Sequence, residues 1–150
     1  MTDMDLNKFS FFRDMDPKHL KFLSQHMTQD AFKPNEYILK ESEQATKFYL
    51  ILKGKVSIEM LSPEGKPFSI QTLTTGDIVG WSWMFPPYQY QFSARALEAT
   101  DMLVIDGEIL KKKSKNDNEF GYEFLKRLVN IFVQRLQATR QHLIALYNAA

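Results

Sequence analysis

Lys47-Phe48-Tyr49-Leu50-Ile51-Leu52-Lys53-Gly54-Lys55-Val56-Ser57-Ile58-Glu59-Met60 decides how the rest of the chain is read. Residues 47–52 are mostly aromatic or branched and stop at Gly54, after which Val56, Ile58 and Met60 alternate with polar neighbours. A period of two puts alternate side chains on one face of a pleated strand. The stretch therefore predicts a strand, a break at glycine and a second, half-buried strand.

The same signals repeat downstream. Ser62-Pro63-Glu64-Gly65-Lys66 supplies a turn whose Pro and Gly suit its middle positions. Phe68, Ile70 and Leu73 resume the alternation until Thr75-Gly76-Asp77 interrupts it, and Thr100-Asp101-Met102-Leu103-Val104-Ile105-Asp106 is a last apolar run. Many short strands between about residues 31 and 106 predict a sandwich, a jelly roll or a small barrel.

Both flanks change period. Residues 5–29 read as helical, with Asp16-Pro17 as the start and Leu20, Leu23 and Met27 on one face. After Gly107 the period is helical again. Residues 111–118, Lys-Lys-Lys-Ser-Lys-Asn-Asp-Asn, read as a solvated helix end or a loop. Residues 119–147 hold no Gly or Pro after Gly121, and at 1.5 Å per residue they would extend about 40 Å.

On that last helix Leu125, Val129, Phe132, Leu136, Thr139, Leu143 and Leu146 follow one another at alternating spacings of four and three. This is a heptad seam of the kind that joins two parallel helices, and it predicts a homodimer. Phe124, Leu128 and Ile131 make a second stripe, suited to docking the helix on the β region. Thr139 is the polar member of the seam; it either fixes register or reaches a ligand.

Composition bounds the function. A chain of 150 residues and 17.6 kDa is one domain, or one domain with a long terminal element. It has no Cys, which excludes disulfides, thiolate metal sites and a cysteine nucleophile. With 19 basic and 18 acidic side chains it lacks the basic excess of a nucleic-acid binder. Met1-Thr2-Asp3-Met4-Asp5 has no apolar core for a secretory signal, and no apolar run approaches the roughly 20 residues that span a bilayer, so a cytoplasmic chain without membrane attachment is expected. None of the three histidines, His19, His26 and His142, lies in the β region beside a carboxylate at ligand spacing, and no catalytic triad or phosphate loop is present. The expectation is no metal, no enzyme activity and no resident cofactor.

Residues 81–92 hold Trp81, Trp83, Phe85, Tyr88, Tyr90 and Phe92, alternating on both sides of Pro86-Pro87. Two strands joined at a proline turn are predicted there. They form either a packed edge of the core or the wall of a pocket for a planar ligand. Gly80 in front of them suits a positive φ or a close backbone approach.

Taken in order, Phe12, Leu20, Leu23, Phe32-Lys33-Pro34-Asn35-Glu36, Tyr49-Leu50-Ile51-Leu52-Lys53-Gly54-Lys55-Val56, Gly76-Asp77-Ile78-Val79-Gly80, Arg95-Ala96, Ile105-Asp106 and Arg135-Leu136-Gln137-Ala138-Thr139 resemble the cyclic-nucleotide-binding domain of the Crp/Fnr regulators. The resemblance implies a mainly β chain: a jelly roll (double-stranded β-helix) with an N-terminal helix and a long C-terminal dimerisation helix. It also implies a division into 1–118, the roll with its N-terminal helices, and 119–150, the dimerisation helix. Crp/Fnr regulators continue into a helix-turn-helix; here Ala150 ends the sequence, and no direct DNA binding is expected.

In that family a Glu after the loop glycine accepts from the ribose, and an Arg about ten residues on neutralises the cyclic phosphate. Here Gly80 is present, Trp81 stands at the Glu position, and Tyr90 stands at the Arg position with Gln91 beside it. Loss of such a charged partner costs about 2–5 kcal/mol of binding. The run from Gly80 to Tyr88 resembles a variant of the cassette that keeps Ser82 and Trp83. Candidate ligand residues are therefore Gly80, Trp81, Ser82, Trp83, Tyr90, Gln91, Arg95, Thr139 and Arg140. Arg95 either pairs with ligand or bonds within the protein, to backbone carbonyls or a carboxylate such as Glu98. The function expected is a sensor or regulatory module binding a cyclic nucleotide or related small ligand, or else a ligand-free protein-interaction module whose aromatics fill the pocket. A regulatory protein partner fits either reading.

Overall fold

The structure, a computed structural model, describes residues 5–149, so the secretory-signal reading of residues 1–5 lies almost wholly outside those described. Eight strands follow a short 3-10 turn, Leu6–Lys8, and helix α1, Pro17–His26. They are β1 Thr28–Phe32, β2 Tyr37–Leu39, β3 Lys47–Lys53, β4 Val56–Leu61, β5 Pro67–Leu73, β6 Ile78–Val79, β7 Ser93–Ala96 and β8 Thr100–Asp106. Helices α2, Gly107–Asn116, and α3, Asn118–Ala149, complete the chain. Among the described residues no helix is long and apolar enough to cross a membrane.

The strands form two antiparallel sheets of four, ordered β1-β8-β3-β6 and β2-β7-β4-β5. Neighbours in each sheet are mostly distant in sequence, which is how a jelly roll differs from a meander. In the second sheet Val56 faces Ala96 and Ile58 faces Ala94, all four buried. Ser57 and Glu59, one residue out of phase, pair with Arg95 and Ser93 on the opposite face. In the first sheet Phe48, Leu50 and Ile51 of β3 and Met102, Leu103 and Ile105 of β8 are essentially inaccessible. Both faces of β3 and β8 are therefore covered, while the edge strand β1 is mostly exposed. Phe11 contributes to the cover, its ring 5.7 Å from that of Phe48.

Asp16 caps α1 as its residue type predicts, accepting from the amide of Lys18 at 3.0 Å with Pro17 in the first turn. Helix does not run the full 5–29 expected, because the chain leaves helical geometry at Met27 and residues 28–32 pair with β8. Residues 81–92 are not two strands either. They hold a 3-10 turn, Ser82–Met84, and an irregular return with one isolated bridge, Gln44 to Gln89. Pro86 and Pro87 supply no amide hydrogens there, so a ladder has too few donors to form. The lysine-rich stretch is helical as far as Asn116, with Lys113 paired to Asp117 at 3.2 Å.

The chain divides into two compact units, one ending at Lys112 and one beginning at Lys113. In the second, Phe120 and Phe124 stack at 5.7 Å and Arg127 pairs with Glu123 at 3.1 Å. Gly121 meets the carbonyl of Ser114 so closely that a Cβ would sit 2.8 Å from it.

Candidate functional site

The loop of residues 80–91 begins where β6 ends. Gly80 has φ +86 and is buried, and a Cβ on it would lie 2.7 Å from the carbonyl oxygen of Lys47. Only glycine fits both constraints. The chain turns there and sends Trp83 inward. Its indole N–H donates to the Gly80 carbonyl at 2.8 Å, and its ring meets Phe48 edge-on at 6.1 Å. It also lies flush against Gly107, where a Cβ would come within 2.5 Å of the indole Cγ. Trp83 is thus a core side chain that pins the loop.

Tyr90 pins the other end. Its hydroxyl accepts from the amides of Thr46 and Lys47 at 3.3 and 3.2 Å and faces the Lys47 carbonyl at 3.3 Å. Neighbouring Tyr49 has its phenol pushed well above the ordinary tyrosine value, first by burial, then by Tyr90 and Asp30. Between the two pins the loop bulges outward. Trp81 rests edge-on against Phe92 at 6.0 Å, and the ring of Tyr88 carries the Lys111 ammonium 4.4 Å from its centre.

Trp81, Ser82, Phe85, Pro86, Pro87, Gln89 and Gln91 enclose a hollow of about 350 Å³. Among the described residues no charged side chain lines it. Ser82 is 8% exposed, and its hydroxyl is not among the buried polar atoms left without a partner. The Gln91 amide donates to the Gln89 carbonyl at 2.9 Å, which leaves its own carbonyl oxygen able to accept. A larger hollow, about 520 Å³, is bordered by Lys8, Arg13, Leu52 and Asp77. Its cations are held locally, Lys8 over the Phe9 ring and Arg13 against the Lys8 carbonyl.

Arg95 lies on β7, on the face that carries Glu59. Its Nε and Nη2 donate to Glu59 Oε2 at 2.9 and 2.6 Å, and its Nη1 donates to Asn35 at 2.9 Å. Tyr37 donates to the other Glu59 oxygen at 3.2 Å. The Glu59 hydrogen bond is the main reason the Arg95 guanidinium is held above its usual value. Partial burial, then Glu59, raises the Tyr37 phenol. The partner carboxylate is Glu59 on the adjacent strand rather than Glu98, because alternation along β4 puts Glu59 on the Arg95 face.

Thr139 and Arg140 are exposed on α3, where the Thr139 hydroxyl donates to the Arg135 carbonyl at 2.9 Å. Leu125, Val129, Leu136, Leu143 and Leu146 of the seam are exposed, from 41% at Leu125 to 70% at Leu146, and Phe132 is half-buried. Of the candidate ligand residues, Trp81, Ser82 and Gln91 share the hollow and Gly80 turns the chain into it. Trp83 and Tyr90 are buried and do not line it, and Arg95 is engaged on the β7 face. Phe85, Pro86 and Pro87 were visible in the sequence as part of the aromatic segment. Gln89 carried no signal: only the bridge to Gln44 brings it to the hollow.

Comparison with known proteins follows this geometry. A family model for the cyclic nucleotide-binding domain matches residues 29–117. The anaerobic regulatory protein of Bacillus subtilis is 29% identical over 107 residues, covering 71% of this chain and 45% of that protein. The cAMP-activated global transcriptional regulator CRP of Salmonella typhimurium is 28% identical over 127 residues, covering 84% of this chain and 58% of the regulator. The chain thus spans about half the length of these curated relatives. The solved structure of a cyclic nucleotide-binding domain from Methylobacillus flagellatus KT shares the fold, with a TM-score of 0.80 at 23% identity over 93% of this chain and 79% of that one.

Proposed function

The chain belongs to the cyclic nucleotide-binding domain family, in its Crp/Fnr-type branch, and from that premise we propose that it is a non-catalytic regulatory module that has given up the family's grip on a cyclic phosphate. The observation that carries this reading is the absence of charge from the hollow. Tyr90 replaces the phosphate-binding arginine and spends its hydroxyl on the backbone of residues 46 and 47. Arg95 is engaged by Glu59 and Asn35. A phosphate entering the hollow would give up water without gaining an ion pair, which is unfavourable.

Output in this proposal runs through the last helix, residues 119–150, as a unit distinct from the roll of residues 1–118. A heptad seam left exposed along α3 is the face a second copy of the same helix would cover, making a cytoplasmic homodimer. Thr139, with its hydroxyl returned to the Arg135 carbonyl, is then a seam position without an unmet hydrogen bond.

Sedimentation equilibrium of the full chain tests the pairing. A dimer is expected, with Leu136→Glu shifting it to monomer while the circular dichroism of the roll is retained. A wild-type monomer at tens of micromolar would contradict it.

An aromatic-filled, ligand-free interaction module is supported by one observation, the fully packed Trp83. The hollow outside Trp83 favours the ligand-binding form.

A further inference from the structure

Three features of residues 80–91 point to the same kind of molecule. The hollow's volume, about 350 Å³, falls at the small end of the range of about 300–1,000 Å³ typical of small-molecule sites. Its walls are flat and apolar: Trp81, Phe85 and the Pro86-Pro87 pair. Its polar groups are neutral: the Ser82 hydroxyl and the side-chain amides of Gln89 and Gln91. Ser82 is more than nine-tenths buried, yet its hydroxyl is not among the buried atoms left without a partner: it keeps access to solvent, where a ligand group can replace water.

We infer that this hollow is a binding site for an uncharged, flat, hydrogen-bonding molecule of about nucleoside size. The inference rests on the reading that the cassette no longer clasps a cyclic phosphate, and it names what replaced that ligand. Stacking on Trp81 and Phe85 supplies affinity for a planar ring. The Ser82 hydroxyl and the Gln91 carbonyl oxygen supply one donor and one acceptor, which selects a heterocycle or amide over a plain hydrocarbon. A net negative charge is selected against, since the site has no cation to receive it. Trp83 and Tyr90 do not line the hollow and anchor the two ends of the loop.

Adenosine and guanosine serve as neutral probes, and cyclic AMP and cyclic GMP as their charged counterparts. Each is titrated into the full chain with tryptophan fluorescence as the readout and equilibrium dialysis as the check. At least one nucleoside is expected to saturate, and to bind about tenfold or more tightly than its own cyclic phosphate. Ser82→Ala and Gln91→Ala should each weaken that nucleoside by roughly three- to tenfold without changing the dimer or the melting temperature. Silence from both nucleosides up to their solubility limits, with the dimer intact, overturns the inference and leaves the regulatory reading standing. Micromolar binding of either cyclic nucleotide overturns both. Nucleoside binding that Ser82→Ala and Gln91→Ala leave untouched places the ligand elsewhere and also overturns the inference.

Discussion

The loop at residues 80–91 and the β4–β7 face at Glu59 and Arg95 treat polarity in opposite ways. On the sheet face two opposite charges are brought to 2.6 Å, with Tyr37 donating to Glu59 and Arg95 donating to Asn35 beside them. In the loop, among the described residues, only neutral side chains line the hollow, with the Ser82 hydroxyl and two glutamine amides as its polar groups. A satisfied ionic cluster holds strands in register and has nothing to offer a ligand. A neutral, solvent-reached pocket contributes little to stability and can receive one. The chain has placed its charge in the framework and its vacancy in the loop.

The strongest way to break this contrast is inside the loop itself. Trp83→Ala should destabilise the chain by about 3–5 kcal/mol, because it empties a packed core position. Trp81→Ala, only two residues away, should cost less than about 1 kcal/mol, since Trp81 is half-buried at the rim of the hollow. Urea denaturation of both variants measures the difference; equal losses would remove the distinction between anchor and wall.

On the sheet face Arg95→Ala leaves Glu59 buried with its main partner gone. The expected loss is about 2–3 kcal/mol, below the figure for a fully buried pair because the Arg95 side chain keeps 27% of its exposure. Titrations at the loop should be unchanged in that variant. A change in ligand affinity would show that the two regions are coupled.

How much of this was legible in the sequence follows from the length scale of each cause. Alternation in β3, β4 and β8 and the Asp16-Pro17 cap are local, and the helix and strands they predict are present. The aromatic segment was misread as two strands because period two is also produced by a loop that buries Trp83 and Tyr90 and leaves Phe85 and Tyr88 outside. Its prolines were read as a turn between strands, when they remove the donors a ladder needs. The Glu59 partnership was hidden because Arg95 lies 36 residues away in sequence and meets it only through strand register. The choice of Trp81, Ser82 and Gln91 came from the family resemblance, and their convergence on one hollow is visible only in three dimensions.

The smallest expected effect is at alkaline pH. Tyr37 and Tyr49 have phenol values raised above 10.0 in the folded chain. The folded state therefore holds those protons longer than the unfolded one. Their contribution is complete below about pH 10, where unfolded tyrosine titrates, and is lost as pH rises through the folded values. Absorbance at the phenolate band should show two tyrosines ionising late, together with the onset of unfolding. Simple titration of every tyrosine near the free value would contradict that.

Calorimetric titration of the wild-type chain with cyclic AMP tests the central claim most directly. With no cation in the hollow, no saturable heat is expected up to about 1 mM ligand. A stoichiometric isotherm with a micromolar dissociation constant would mean that the chain clasps the cyclic phosphate after all.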